Sequence, residues 1–237
     1  MKSLKNLWKQ LVVKLLVKLR AKLVVGSPAW LIASEGQFGG FVSNVKRRRV
    51  SSLDPRCKRE IESGGMTGGD RMIHHGYAKV YSVYLRKFLK KGNARCVAEF
   101  GILRGSGLAV WCDWFKDARV IGFDIDLSHA RDNWANLVEQ GAFKCNSPEL
   151  HEYDQFCDGT PILKAVFHST TVDVCIDDGF HSHGSILTTM QSVMPFMSHV
   201  FVYFIEDNET VSIEIKERFP SLKVESFGRL TVVSRGL

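Results

Sequence analysis

The sequence predicts an α/β protein with a doubly wound, mostly parallel sheet, and three observations support this. Short apolar segments alternate with helix-like segments along residues 77–219. Two of the apolar segments, 172–176 and 200–205, run directly into acidic residues. The last part of the chain contains two strand-like segments separated by Gly228. Alternating strands and helices form parallel sheets with right-handed crossovers, and a terminal hairpin adds an antiparallel pair.

The predicted elements follow in chain order. Helices are expected over 77–90 (stopped by Gly92), 108–115, 128–139, near 162–167 and over 210–219. Strands are expected over 95–100, 119–124, 172–177, 200–205, 222–227 and 229–234. Apart from the short helix, residues 146–171 are expected to be irregular. Acidic residues that follow parallel strands collect at the carboxyl edge of the sheet, where open α/β folds bind their ligands.

The charge of the chain is unevenly distributed. Its formal net charge is +7, but residues 1–60 carry fourteen Lys or Arg and only three Asp or Glu, whereas the remainder carries −4. A nucleic-acid enzyme would place positive charge around its cleft, so no nucleic-acid partner is expected. The six cysteines form no CxxC pair and have no zinc-ligand spacing. They are expected to be reduced thiols in a cytoplasmic protein.

The amino-terminal quarter divides into two segments. Residues 1–25 predict a basic amphipathic helix with one stripe of lysines (Lys14, Lys18, Lys22) and one of leucines (Leu4, Leu7, Leu11, Leu15, Leu19). Its uncharged stretches are too short to span a bilayer. The helix either lies on an anionic membrane surface, making the protein peripheral, or packs on the domain or on a second subunit. Residues 26–69 are expected to form a basic linker and cap, which would leave residues 70–237 as the catalytic domain.

A glycine-rich turn follows the first strand of the predicted domain. Glu99 precedes Gly101, Gly105 and Gly107, and Asp124 ends the next strand. Glycines let a ligand approach the backbone closely, and Asp124 is placed to accept hydrogen bonds from ribose hydroxyls. An acid at Glu99 would oppose a pyrophosphate but would suit a cationic amino-acid group. The pattern therefore favours S-adenosylmethionine over a nicotinamide dinucleotide.

The two acidic strand ends predict a metal site. Asp177 and Asp178 follow one strand, with His181 three residues on, and Glu206-Asp207-Asn208 follows the other. Carboxylate oxygens select hard cations, so Mg²⁺ or Mn²⁺ is expected. A coordinated hydroxyl becomes more acidic, and His181 is the candidate general base. Asp177 is interpreted as a helix cap or a group that orients a ligand, and His183 as a surface histidine.

These motifs resemble those of the class I S-adenosylmethionine-dependent methyltransferases. The resemblance is closest to the metal-dependent sugar O-methyltransferases of the macrocin, mycinamicin and rhamnosyl type, and it covers roughly residues 64–234. The residues that carry it are Gly68-Gly-Asp70, His75-Gly-Tyr77, Glu99-Phe-Gly101 through Trp111, Gly122 to Asp126, Asp154-Gln155, Ile176 to His181 and Ile205-Glu-Asp207. The resemblance implies a seven-stranded Rossmann-like sheet that ends in an antiparallel hairpin.

The resemblance also implies roles for individual residues. Glu99, Gly101, Gly105 and Tyr77 are assigned to the cofactor, Asp124 to its ribose and Asp154 to the region of its adenine. Asp178, Glu206 and Asp207 are assigned to the metal, with Asn208 as the alternative to Glu206, and His181 to the role of base. The chain departs from the family pattern at Phe180, where a small serine is usual, and at Gly105-Ser-Gly107, where Gly-Gly-Ser is usual.

The expected function is Mg²⁺-dependent methylation of a sugar hydroxyl on a small-molecule or glycan acceptor, including a glycan or glycolipid precursor. Three alternatives remain open: a nicotinamide-dependent oxidoreductase, a hydroxylase-like enzyme on the same sheet, and a non-catalytic membrane-associated module. A homo-oligomer also remains open. Glu99 and the two acidic strand ends argue against the oxidoreductase, because they do not suit a pyrophosphate.

Overall fold

The computed structural model describes residues 2–90 and 94–237, and for residues 2–9 only the backbone. The predicted helix stop at Gly92 and the side chains of Leu4 and Leu7 lie outside this part of the chain. Everything below refers to the described residues.

A seven-stranded sheet forms the centre of the molecule, in the order β5-β4-β3-β6-β7-β9-β8. Its strands are β3 (Cys96–Phe100), β4 (Arg119–Asp124), β5 (Glu149–Glu152), β6 (Val172–Asp177), β7 (Met197–Ile205), β8 (Lys223–Phe227) and β9 (Leu230–Arg235). The strands β5, β4, β3, β6 and β7 are parallel, and β9 is antiparallel to both β7 and β8. The predicted doubly wound sheet with a terminal antiparallel hairpin is confirmed.

Within the described ranges, nine α-helices flank the sheet or precede it. They are α1 (Lys2–Leu19), α2 (Pro28–Phe38), α3 (Lys58–Ser63), α4 (Ala78–Leu89), α5 (Ser106–Trp114), α6 (Ser128–Glu139), α7 (Thr160–Phe167), α8 (His183–Val193) and α9 (Val211–Arg218). A two-stranded antiparallel sheet is formed by β1 (Val42–Val45) and β2 (Met66–Gly68). Single 3₁₀ turns follow α1 and α8.

Two hydrophobic cores lie on opposite faces of the sheet. One includes Tyr81 of α4 and Trp111 of α5, whose rings stack against each other. The other includes Phe167 of α7, Met190 of α8 and Ile215 of α9. Strands β3 and β6 are buried along their whole length, as expected for parallel strands covered on both faces.

Strand β5 was not predicted, because residues 146–171 were expected to be irregular. Its sequence, Glu149 to Glu152, contains a single aliphatic residue, Leu150, and therefore lacks the apolar signature of a buried strand. It lies at the edge of the sheet and pairs with β4 from Ile121 to Asp124. Its position depends on backbone hydrogen bonds to a neighbour distant in sequence, which local patterns do not report.

Part of the expected linker is a packed helix. Helix α2 is capped by Ser27, whose Oγ accepts from Trp30 N, and it buries Trp30, Leu31, Ala33 and Phe38 in the core. Residues 28–38 are therefore an ordered, packed helix within the segment expected to be a linker. The remainder of residues 26–69 includes β1, α3 and β2, and it crosses the carboxyl edge of the sheet, where it lines the main cavity. The sequence suggested a linker because residues 26–69 are rich in glycine and serine. The apolar residues of α2 also lack a clear helical periodicity.

Helix α1 packs on the domain through one face only. A Cβ at Gly36 of α2 would lie 2.5 Å from Val13 Cγ1, so the glycine allows a close approach between the two helices. Arg20, just beyond α1, forms an ion pair with Asp113 and donates to Ser34 Oγ at 2.8 Å. On another face Leu11 and Leu15 are more than half exposed. No helix in the described ranges is long and apolar enough to cross a membrane.

Candidate active site

The carboxyl ends of β3, β4, β6 and β7 open into one cavity of about 500 Å³. It is lined on one side by residues of the glycine-rich turn and on the other by residues that follow β6 and β7. Segment 39–71 forms the opposite wall. The sequence-predicted residues that line it are Glu99, Gly101, Asp124, Asp154, Asp178, His181 and Asp207. The sheet therefore brings most of the predicted site together.

The glycine-rich turn has the backbone conformations that only glycine adopts easily. Gly101 and Gly105 have φ values of +85° and +78°. A Cβ at Gly101 would lie 2.3 Å from the carbonyl oxygen of Asp178, and one at Gly107 would lie 2.3 Å from Glu99 Oε1. Gly105 stands at the start of α5, where it turns the chain. These glycines hold the turn tightly against both the acid before it and the end of β6.

Glu99 is buried at the end of β3. One of its oxygens lies 2.6 Å from Arg71 Nη2, and the other accepts from the indole nitrogen of Trp111 at 3.1 Å. Burial raises the pKa of Glu99, and the Arg71 charge opposes that rise. With Arg71 beside it, Glu99 is a buried acid that already has a cationic partner.

Asp124 and Asp154 are held from within the protein. The carboxylate of Asp124 accepts from the backbone nitrogens of Leu103 at 2.9 Å and Asp126 at 3.0 Å. Burial raises the pKa of Asp124, and these backbone donors lower it. A carboxylate has about four acceptor positions, so Asp124 can still accept from a ligand. Asp154 accepts from Ser51 Oγ at 2.7 Å, which joins it to segment 39–71.

Two carboxylates and a histidine form a cluster on the other side of the cavity. Ligand atoms of Asp178, His181 and Asp207 all lie within 4.8 Å of one another. Burial raises the pKa of Asp178 to about 7, against the charge of Arg71, and Asp207 raises it further. Carboxylates so close together repel each other unless a cation is shared between them. The two carboxylates are oxygen donors of the kind that Mg²⁺ and Mn²⁺ prefer, whereas an imidazole is more usual at Zn, Cu, Fe or Ni sites.

Glu206 does not belong to this cluster, contrary to the expected set of metal ligands. Its carboxylate is buried, lies 2.5 Å from Arg71 Nε and accepts from Tyr81 OH. Burial raises its pKa well above the usual range. Glu206 and Asp207 both follow β7, but Glu206 contacts Arg71 and Tyr81 whereas Asp207 contacts Tyr77. Asn208 does not replace Glu206: its Oδ1 accepts from Val211 N at the start of α9, and its Nδ2 donates to His181 O.

Tyr77 also differs from its expected position. It was assigned to the cofactor, but its hydroxyl donates to Asp207 Oδ1 at 2.7 Å, on the acidic side of the site. His75 stacks on Tyr77 and lies 3.1 Å from Asp70 and 3.4 Å from Asp207. Both residues therefore orient Asp207. Both residues come just before α4 in the chain. The contact between Tyr77 and Asp207, which are 130 positions apart, therefore decides the place of Tyr77 in the site.

His181 has a defined tautomer. Its backbone φ is +62°, and its Nδ1 lies 3.2 Å from the carbonyl oxygen of Glu206. A carbonyl only accepts, so Nδ1 carries the proton and Nε2 is left as an acceptor. Nε2 lies 3.9 Å from Asp178 Oδ1. Burial lowers the pKa of His181, although Asp207 and Asp177 oppose that change, and the neutral imidazole is favoured.

The two residues left open in the sequence have structural contacts. Asp177 accepts from Gln155 Nε2 at 2.8 Å and from Tyr203 OH at 3.2 Å, so it fixes the end of β6. Burial raises its pKa to about 6. His183 begins α8 and contacts Glu214 and Thr210 away from the cavity. Phe180 packs against Phe156, and the Arg56 guanidinium lies 4.3 Å from its ring centroid.

Arg71 was missed in the sequence, although it follows Gly68-Gly-Asp70, one of the motifs that carried the resemblance. It is 7% exposed and contacts Glu99, Asp178 and Glu206. Burial by itself lowers the pKa of Arg71, but the three carboxylates outweigh burial and raise it, so the side chain stays charged. A single arginine after an aspartate has no distinctive local pattern. Only the fold shows that it joins both halves of the site.

Comparisons with known proteins agree with this architecture. No family model and no curated protein matches the chain. Among solved structures, the MycE methyltransferase of the mycinamycin biosynthetic pathway, in complex with Mg and SAH, matches with a TM-score of 0.50 and 14% identity. The match covers 66% of this chain and 50% of MycE, so the chain spans about half the length of that protein.

Two further structures match similarly. The MycE complex with Mg, SAH and mycinamycin VI gives a TM-score of 0.50 and 14% identity over 67% of this chain and 49% of MycE. An O-methyltransferase-like protein from Klebsiella pneumoniae gives 0.51 and 14% over 66% of this chain and 78% of that one. At these identities the matches establish the fold. The chain therefore has the fold of the class I S-adenosylmethionine-dependent O-methyltransferases.

Proposed function

We propose that this chain is an S-adenosylmethionine-dependent, Mg²⁺-dependent O-methyltransferase that acts on a sugar hydroxyl. One observation carries the proposal: the cavity joins a buried acid beside a glycine-rich turn to a cluster of two carboxylates and a histidine. The first arrangement suits a cofactor with a cationic amino-acid group, and the second suits a metal that binds an acceptor hydroxyl. The complex of MycE with Mg, SAH and mycinamycin VI is consistent with such a combination.

Residues of the first half would bind the cofactor. Glu99 would hold the amino group, the tight turn formed by Gly101 and Gly105 would bring its backbone to the ligand, and Asp124 would accept from the ribose hydroxyls. Asp154, tied to Ser51, would lie toward the adenine. Because these groups are already held by hydrogen bonds within the protein, they would place the sulfonium methyl without large rearrangement.

Residues of the second half would hold the metal and the acceptor. Asp178 and Asp207 would supply the carboxylate ligands, and a bound divalent cation would increase the acidity of the acceptor hydroxyl. His181 would then take the hydroxyl proton on Nε2, since Nδ1 is committed to the carbonyl of Glu206. Neutral His181 is ready for this role near pH 7.

Isothermal titration with S-adenosylmethionine, in Mg²⁺ and again in EDTA, tests the cofactor assignment. Micromolar binding is expected, with no comparable binding of NAD. Absence of S-adenosylmethionine binding in both buffers would contradict the proposal. If NAD bound instead, the oxidoreductase would become the better assignment.

The role of His181 is tested by His181→Gln. As a base, its loss should lower kcat roughly a hundred- to thousandfold while leaving Mn²⁺ affinity within a factor of two or three. His181 also belongs to the donor cluster, so the alternative is that it ligates the metal. In that case Mn²⁺ affinity, measured by electron paramagnetic resonance or calorimetry, would fall together with kcat.

The exposed face of α1 supports a peripheral position on an anionic membrane. Leu11 and Leu15 are 58% and 57% exposed, and Lys14 and Lys18 each lie about 60° around the helix from the leucine three residues before. An apolar stripe beside lysines is typical of a helix that lies in a membrane interface. The expected acceptor would then be a glycan or glycolipid precursor at that surface.

Vesicle sedimentation tests this position. The double substitution Leu11→Ser and Leu15→Ser should reduce binding to vesicles containing phosphatidylserine at least about tenfold. The reason is that two leucines that would insert into the membrane are lost. Ile213→Ser is the matched control, since Ile213 is 63% exposed on α9, away from α1. These variants keep Arg20 and Val13, which pack α1 on the domain, whereas deletion of residues 1–25 would remove both. Equal binding by all variants would contradict membrane docking through α1.

A further inference from the structure

Arg71 occupies the boundary between the two halves of the cavity. Its Nη2 lies 2.6 Å from Glu99 Oε1 and 2.9 Å from Asp178 Oδ2, and its Nε lies 2.5 Å from Glu206. The guanidinium also lies 5.5 Å from the ring centroid of Trp111. A side chain this buried, with its plane fixed by an aromatic ring and by carboxylates, cannot move far to meet a ligand. The nitrogen that these carboxylates do not contact, Nη1, therefore determines which ligand group the side chain can bind.

The remaining terminal nitrogen of Arg71 points toward the glycine-rich turn. Nη1 lies 2.8 Å from the position that a Cβ would take at Gly107, and Glu99 Oε1 lies 2.3 Å from the same point. Glu99 and Arg71 thus lie together against the first turn of α5, and both line the cavity. An acid and a base side by side match the two charges of an α-amino acid: the carboxylate of Glu99 suits an ammonium, and the guanidinium suits a carboxylate.

The charges of the site agree with this assignment. Glu99, Asp178 and Glu206 contact Arg71, and Asp207 lies 3.6 Å from Arg229, so these four carboxylates face two arginines and leave two negative charges when all are ionised. A divalent cation would offset those two. The amino-acid end of S-adenosylmethionine is itself a zwitterion, so its carboxylate requires a cation nearby, and Arg71 is the buried one.

We propose that Arg71 binds the α-carboxylate of the cofactor, next to Glu99, which binds its amino group. This rests on the proposed function and adds that the site recognises a whole zwitterionic amino acid rather than an ammonium alone. Backbone nitrogens at the start of α5 are the competing donors for the same carboxylate. The two possibilities differ in what happens when the guanidinium is removed.

Three ligands separate carboxylate recognition from a general structural role. S-adenosylmethionine carries both amino-acid charges, its decarboxylated form keeps only the ammonium, and 5′-methylthioadenosine lacks both. Affinities would be measured by calorimetry in EDTA and repeated in Mg²⁺. The unmodified protein should prefer S-adenosylmethionine to the decarboxylated ligand roughly ten- to hundredfold, as expected for one charge-assisted contact.

Arg71→Gln should remove that preference while changing the affinity for 5′-methylthioadenosine much less. Arg71→Lys should keep part of it, because a charge remains although the planar fork is lost; it also serves if the glutamine variant does not fold. Arg104→Gln is the matched control: Arg104 lines the same cavity and donates to Asn133 Oδ1 at 2.8 Å, so it removes one positive charge without removing Arg71. This control should retain the full preference.

The outcomes separate the inference from the function on which it depends. Equal binding of the two charged ligands by the unmodified protein, or an unchanged preference in Arg71→Gln, would overturn the role of Arg71 and would favour the start of α5. A parallel loss of affinity for all three ligands would identify Arg71 as structural and would also overturn it. Failure of the unmodified protein to bind any of the three would overturn the proposed function itself.

Discussion

The two halves of the cavity stabilise their acidic residues in different ways. On the side of the glycine-rich turn, Asp124 accepts two backbone N–H groups and Glu99 accepts from Arg71 and Trp111, so each acid has fixed donors. On the other side, Asp178 and Asp207 approach each other; Asp178 shares Arg71 with Glu99 and Glu206, and Asp207 accepts from Tyr77 and lies 3.6 Å from Arg229. The acids of the first half each have their own donors, whereas the two carboxylates of the second are close enough to repel each other and to share a cation.

Among the substitutions that test this difference between the two halves, removal of Asp178 should have the largest effect on turnover. Asp178→Ala is expected to lower metal-dependent turnover roughly a thousandfold, because the metal loses one of two carboxylate ligands. Affinity for S-adenosylmethionine should change little by comparison. Turnover and calorimetry in a Mg²⁺ titration measure the two effects separately. Loss of cofactor binding with metal affinity unchanged would show that Asp178 belongs to the other half.

The adjacent residue provides the control. Asp177 is bonded to Gln155 and Tyr203 and lies outside the donor cluster. Asp177→Asn should lower thermal stability while retaining measurable Mg²⁺ affinity. If both substitutions abolished metal binding, the distinction between a ligand and a structural acid at the end of β6 would be wrong.

Glu35 tests whether backbone donors are enough to keep a buried acid ionised. Its carboxylate accepts from Met72 N at 2.8 Å and Ile73 N at 3.1 Å, yet burial raises its pKa from 4.5 to about 7. The folded state therefore binds this proton more tightly than the unfolded state does. The contribution of Glu35 to the free energy of unfolding is greatest below pH 4.5 and decreases as the pH rises toward 7.

Urea unfolding between pH 4.5 and 8 measures this contribution. The wild type should lose about 3 kcal/mol across the window relative to Glu35→Gln, whose side chain does not titrate. A constant difference between the two proteins across that range would mean that Glu35 has an ordinary pKa in the folded state.

Substitution in the turn beside Glu99 should have a smaller effect than the substitutions at Asp178 and Glu35. Gly107→Ala would place a Cβ 2.3 Å from Glu99 Oε1, so the acid must shift from Arg71. Overpacking of this kind should weaken S-adenosylmethionine binding roughly ten- to hundredfold. Gly184→Ala is the matched control, because its Cβ would meet only Ser182 Oγ at 4.0 Å. Equal affinities in the two variants would show that the turn adapts.

The sequence predicted the sheet and the glycine-rich turn because those signals are local. Apolar runs mark buried strands, and closely spaced glycines mark a tight turn. Residues of segment 39–71 were predicted poorly for the opposite reason. Arg48 and Arg49 belong to the segment expected to be a basic linker and cap, and they pair with Asp132 and Glu152 of the domain.

Sequence alone determined that acids would gather at the carboxyl edge of a doubly wound sheet, because the alternation of strands and helices specifies parallel pairing. Only the tertiary structure decided how those acids are divided. It turned Glu206 toward Arg71 and Tyr81, brought His181 into the cluster with Asp178 and Asp207, and placed Tyr77 on Asp207. Apart from the pair Asp178 and His181, each of these outcomes is a contact between side chains far apart in the chain. Local patterns specify which edge a residue reaches, and packing across the sheet specifies its partner.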